Sequence, residues 1–257
     1  MNDINRTLPS PGSSLGWRRH AGPPLGPVAV VFALLFLGGL YPVTILGGQP
    51  YFPGPWESAE TIVTFFQTRT TAVLLCAFFH FGAAIPLGIF TAAAASRLQF
   101  LGIQAAGTFI ALFGGFATAF NLFASAAMLW TLAHPGVADD HALVQALYWL
   151  MTAFGGPGFS VPLGLLIAGV AVPAAFTRVL PRWLVIVGLA VAACGELSWL
   201  NLISERALFL VPLTRFPGFV WLIAAGFALP STIDTATGRP PRREGRFPVP
   251  QGVEPRS

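Results

Sequence analysis

Residues 71–95 read TAVLLCAFFHFGAAIPLGIFTAAAA, a run of 25 positions with no charged side chain and a single imidazole, His80. As an α-helix it would be about 37 Å long at about 1.5 Å per residue. That exceeds the roughly 30 Å hydrocarbon core of a bilayer. The run is apolar around its whole circumference, so no one stripe of it can be set aside for water. It gives way to Ser96 and Arg97, the kind of basic boundary that sits at head groups. The solvent this stretch requires is lipid.

Five further runs share that character: Gly26 to Gly48, Gly102 to Ala133, Phe159 to Thr177, Trp183 to Ser204 and Ala207 to Leu229. The expected fold is an all-α polytopic membrane helical bundle with about six transmembrane helices over residues 26–229. The 257-residue chain is 54% hydrophobic and only 9% charged, with a mean hydropathy of +0.70. Soluble domains carry about 25% charged residues. The first run follows Arg18 and Arg19 as a signal peptide would, but it is too long for a signal h-region and lacks an A-x-A site, so it reads as a retained helix. Residues 1–25 and 230–257, rich in Pro, Gly, Ser and Arg, read as disordered tails. Between the first two spans, Pro53, Pro55 and Trp56 predict an outer loop leading into a short interfacial helix.

All fourteen basic residues are Arg. With the N-terminus inside, eleven of them fall in cytoplasmic segments: Arg6, Arg18, Arg19, Arg97, Arg178, Arg182, Arg239, Arg242, Arg243, Arg246 and Arg256. The outer loops hold only Arg69 and Arg206, and Arg215 lies within a span. That bias places both termini in the cytoplasm and the chain in a bacterial inner membrane. The expected partners are membrane lipids, with a small-molecule ligand, a membrane-protein partner or a second copy of the chain as further possibilities. No nucleic acid is expected, because no basic groove with stacking aromatics is present. Cys76 and Cys194 both lie in apolar runs and read as free thiols, not a disulfide framework.

Helix three carries Gly107, Ala111, Gly115 and Ala119 at four-residue spacing, a small stripe that lets a neighbouring backbone approach. Gly188, Ala192 and Glu196 form a similar stripe on helix five, which turns Glu196 toward a partner helix. A faint repeat accompanies them. Gly115-Phe-Ala-Thr118-Ala-Phe-Asn121-Leu122 matches Gly195-Glu-Leu-Ser198-Trp-Leu-Asn201-Leu202, and Pro157-Gly158-Phe159 matches Pro217-Gly218-Phe219. Such repeats would be helical hairpins related by an axis along the membrane normal.

Charged groups in hydrocarbon are expensive, so each needs a partner or a task. Only Glu196 and Arg215 sit well inside spans. Glu196 lies eight residues before Ser204 and Arg215 eight residues after Ala207, so each is about 12 Å below the outer surface. On consecutive antiparallel helices this depth match predicts an ion pair. His80 lies about 14 Å deep, with Cys76 one turn before it, and Asn121 lies twelve residues from the outer end of helix three. The four candidate site residues are therefore His80, Asn121, Glu196 and Arg215, around one outward-facing polar pocket.

Gly155-Gly156-Pro157-Gly158 predicts a non-helical break, with helix four proper starting near Phe159 and free N–H groups at its start. His134, Asp139, Asp140 and His141 crowd one loop, but their spacing fits no helical metal motif and helix capping accounts for the Asp pair. No H-e-x-x-H metal motif, Walker loop or G-x-S-x-G nucleophile elbow occurs, and the lack of any Lys excludes a retinal Schiff base. No cofactor and no metal are expected.

The chain resembles a loosely defined group of bacterial six- or seven-helix membrane proteins known only as a domain of unknown function. The resemblance rests on Leu180-Pro181-Arg182-Trp183-Leu184 entering an Ala/Gly-rich helix and on Phe216-Pro217-Gly218-Phe219-Val220-Trp221 opening the last one. It implies the architecture and carries no catalytic residues. Three functions follow from the residues. The leading one is binding or passage of a small molecule or proton through the polar pocket. The second is an enzyme acting on a lipid, with His80 or Glu196 as acid or base. The third is an accessory subunit using the small-residue stripes as contact faces.

Overall fold

The computed structural model describes residues 17–234. Among the described residues there are eight α-helices: α1 Leu25–Leu40, α2 Ala59–Thr68, α3 Thr70–Phe100, α4 Ala106–Leu132, α5 His141–Gly155, α6 Pro157–Thr177, α7 Arg182–Leu197 and α8 Leu210–Ala228. Short 3₁₀ turns extend α1 through Val43, carry α7 on through Leu202 and precede α8 at Glu205–Ala207. With α5 and α6 taken together, six segments are long and apolar enough to cross a membrane. The protein is an all-α, multi-pass integral membrane protein.

The helices begin where local chemistry permits. Ser58 accepts a hydrogen bond from Thr61 N (3.2 Å) at the start of α2, and Asp140 accepts from Ala142 N and Leu143 N (both 3.1 Å) at the start of α5. Such caps satisfy N–H groups that have no partner inside the helix. The amphipathic α2 buries Ile62, Val63, Phe65 and Phe66 and turns its other face outward, as expected of an interfacial helix.

The α5–α6 segment is the centre of the bundle: 67% of its most apolar window is buried, against 39–44% for the other five spans. Close approach makes this possible. A Cβ added to Gly107 on α4 would stand 2.6 Å from Pro173 on α6, and one on Gly114 would stand 2.6 Å from the Pro162 carbonyl oxygen. A Cβ on Gly188 of α7 would stand 2.5 Å from the Trp221 Nε1 of α8. The small-residue stripes therefore serve packing within the bundle. On the far side of α4, Phe109, Phe113, Phe116 and Phe120 are exposed at helical spacing, a surface made for lipid.

Both described ends of the chain meet. Strand β1 (Trp17–Arg19) pairs antiparallel with β2 (Thr232–Asp234), with Arg18 opposite Ile233. His20 N donates to Ser231 O (2.9 Å), and its Nε2 lies 3.0 Å from Ser96 Oγ on α3. The buried Arg97 donates through Nη1 to Pro230 O (3.4 Å). The expectation of disordered tails is corrected here for residues 17–24 and 230–234, because pairing satisfies their backbone groups and α3 supplies side-chain partners. The rest of both tails lies outside the described residues. The pairing puts the two ends on one side of the bundle, as an even number of crossings requires.

The helix break also differs from expectation. Only Gly156 leaves the helix, and α6 starts at Pro157, not near Phe159. Proline needs no N–H at the first helical position and its fixed φ suits it, so Pro157 can open α6 directly after Gly156.

Candidate functional site

The end of the bundle away from the paired strands is hollow. A cavity of about 340 Å³ lies there, between the far halves of α1, α3, α4, α5 and α8 and beneath Phe52, Pro53 and Pro55. Phe36, Leu40, Val43, Leu122, Leu129 and Met151 give it a mainly apolar wall. Its polar side chains are those of Thr44, Cys76, His80, Ser125, Tyr148, Thr152, Asn201 and Arg215. Several are already occupied: Tyr148 Oη donates to Pro53 O (2.8 Å), and Ser125 Oγ donates to Met151 O (3.2 Å).

Arg215 reaches the cavity from α8. Its Nη2 donates to the carbonyl of Gly155, the last residue of α5. The break at Gly156 frees that carbonyl: Phe159 N, four residues on, donates instead to Gly156 O (3.2 Å). A helix C-terminus carries partial negative charge, so it suits a cation. The Arg215 Cζ also lies 5.3 Å from the Phe36 ring centroid and 5.2 Å from that of Phe159, within cation–π range. Its Nε is buried and has no hydrogen-bond partner.

His80 is fixed on both sides. Its Nε2 lies 3.2 Å from Phe36 O and its Nδ1 3.6 Å from Cys76 Sγ. A carbonyl can only accept, so Nε2 carries the proton and Nδ1 accepts from the Cys76 thiol. The ring stacks on Phe36 with centroids 4.4 Å apart. Gly39 makes the room, since a Cβ there would stand 2.6 Å from His80 Cδ2.

Of the four residues singled out by depth, His80 and Arg215 line the cavity, while Asn121 and Glu196 do not. Asn121 Nδ2 donates to Gly158 O (2.7 Å). The N–H that would normally serve that carbonyl belongs to position 162, which is Pro. Asn121 thus replaces a missing helix bond. The expected Glu196–Arg215 ion pair does not form. Glu196 turns toward α6, its Oε1 3.1 Å from where a Gly164 Cβ would stand, and it has no hydrogen-bond partner. Matched depth leaves the direction around each helix axis open, and these two side chains point to different neighbours. The expected ring of free N–H groups is corrected as well, since the group presented at the break is the Gly155 carbonyl.

Asn201 was not among the depth-matched residues. It is 5% exposed, lines the cavity from the 3₁₀ extension of α7, and its Nδ2 has no partner. That nitrogen lies 3.8 Å from where a Gly156 Cβ would stand, beside the α5–α6 break whose Gly155 carbonyl Arg215 holds. The signal for it was the repeat, in which Asn201 matches Asn121. Neither a family model, nor a curated protein, nor a solved structure matches this chain.

Proposed function

We propose that this membrane protein binds a small, mainly apolar molecule in the cavity around His80, Asn201 and Arg215. The observation that carries the reading is the cavity itself: about 340 Å³, an apolar wall and a few converging polar groups. Ligand sites have that composition and are typically about 300–1,000 Å³. The Arg bias supports cytoplasmic termini in a bacterial inner membrane, which makes the cavity outward-facing. Membership of the uncharacterised bacterial group that the chain resembles belongs to the same proposal, as do surrounding lipids as its partners.

The lipid-enzyme reading has less support. Both His80 nitrogens are engaged and Glu196 stands off the cavity wall, so neither proposed acid or base has a free site facing a substrate. No observation favours an accessory subunit over a binding protein.

The test is binding of tritiated octanol to the full-length protein in phosphatidylcholine nanodiscs, with empty discs subtracted. The expected result is saturation at about one molecule per chain. Thr152→Trp, which puts an indole into the cavity from α5, should remove the saturable part while the protein still elutes as a single species. Partitioning that stays linear and matches empty discs would refute the reading.

A further inference from the structure

Resting on that reading, the geometry points to a more specific ligand: we infer that the cavity takes a monoanion, a carboxylate on a single aliphatic chain of about eight carbons. Arg215 is a cation within the membrane span, and among the described residues no carboxylate partners it. Its one hydrogen bond to protein goes to a neutral carbonyl. A charge left in this state is strongly destabilising, and intramembrane charges that persist face a pathway or a ligand. Its buried Nε has no acceptor.

A second observation on another helix points the same way. Asn201 Nδ2 is an N–H donor on a side chain 5% exposed, it lines the same cavity, and it too has no acceptor. Buried donors are nearly always satisfied. Here two donor groups, from α8 and the end of α7, converge on the Gly155–Gly156 break, and what both require is oxygen. A carboxylate offers two oxygens with about four lone-pair sites, enough for a guanidinium and an amide together. One uncompensated positive charge calls for one negative charge.

The rest of the ligand follows from the wall. Phe36, Phe216, Leu122, Leu129 and Met151 offer nothing polar to a second head group. At about 30 Å³ for each water-sized group, the volume accommodates about eleven such groups, close to a single eight-carbon acid. A two-chain phospholipid is far larger, and its monoanionic head group is the other source of the same charge, which the experiment separates.

The experiment uses the nanodisc assay with tritiated octanoate, octanol and octylamine, which share a chain and differ in the head. Octanoate should bind at least about tenfold more tightly than octanol, the value of one charge-assisted hydrogen bond, and octylamine should not compete. Asn201→Asp, which nearly keeps the side chain's shape and places a fixed carboxylate in the cavity, should abolish octanoate binding and leave octanol binding in place. Arg215→Gln should reduce octanoate to the affinity of octanol. Retained octanol binding in each variant reports that the cavity is intact. Equal affinities for octanol and octanoate, or unchanged octanoate binding in both variants, would overturn the anion and leave the binding reading standing. Failure of all three probes to saturate would overturn both. Displacement of octanoate by phosphatidylglycerol built into the discs would overturn the single-chain acid in favour of a lipid head group.

Discussion

Asn121 shows how a polar residue at membrane depth can be structural. Its Nδ2 serves the Gly158 carbonyl because Pro162 cannot. Asn121→Leu should therefore cost about 1 kcal/mol, at the level measured for membrane hydrogen bonds. In a Pro162→Ala background, position 162 regains an N–H and the same substitution should cost much less. Thermal midpoints of the four proteins in detergent test this, and equal losses in both backgrounds would show that Asn121 acts some other way. Glu196 and Arg215 make the complementary case. They do not touch, so Glu196→Gln and Arg215→Gln should be additive within about 0.5 kcal/mol, as separated sites are. A coupling well above that would restore the ion pair. Depth along a helix is countable from sequence at 1.5 Å per residue, which is why four polar residues could be placed at one level. Rotation about each axis depends on which neighbour each helix packs against, and that separated His80 and Arg215 from the other two.

At the scale of elements, the break between α5 and α6 positions the site. Gly156 has φ −85° and ψ −104°, and a Cβ there would meet the Thr152 carbonyl oxygen at 2.6 Å. Backbone cannot step aside as a side-chain end can, so Gly156→Ala should cost about 1–3 kcal/mol, the range for forced overpacking. It should also weaken binding in the cavity, because the Gly155 carbonyl that holds Arg215 would shift. Gly82 is the control: nothing lies within 4 Å of its missing Cβ, so Gly82→Ala should be neutral or raise stability by up to about 1 kcal/mol. Heat denaturation of both variants decides, and a neutral Gly156→Ala would mean the break tolerates a side chain. The Gly-Gly-Pro-Gly composition announced a break but not its width, since Gly and Pro are tolerated at a helix start as readily as in a loop.

Across the whole molecule, the two ends of the described chain are joined by a clasp with a titratable group in it. His20 sits between β1 and α3, against Ser96, Arg97 and Phe100, with Arg19 beside it on β1. Burial pushes its pKa below the ordinary value, the Arg97 charge pushes the same way, and a hydrogen bond with the Ser96 backbone offsets part of both. The released tail therefore takes up a proton before the clasped one does. The clasp is fully stable above about pH 6.5, the ordinary histidine value, and weakens as pH falls below it. Hydrogen-exchange protection of the Trp17–Arg19 amides, corrected for intrinsic rates, should be lower at about pH 5.5 than at about pH 7.5. His20→Gln should flatten that dependence. Protection that is the same at both values in the unaltered protein would remove His20 as the cause.

What the sequence determined by itself is the solvent and the crossings. Runs such as residues 71–95 admit only a lipid-embedded helix, because backbone polar groups in hydrocarbon must be satisfied within the segment and no water is there to replace them. Six such runs follow directly, and the same-side ends are consistent with that even number. Only the tertiary structure decided which residues meet. It brought Asn201 to the cavity, sent Glu196 to Gly164, gave Arg215 to the Gly155 carbonyl and folded the part of each tail nearest the bundle into a strand pair. The physical reason is that apolar periodicity is a property of one segment read against its solvent. A contact depends on the rotation and close approach of two helices, and those are set by glycines and prolines on both partners at once.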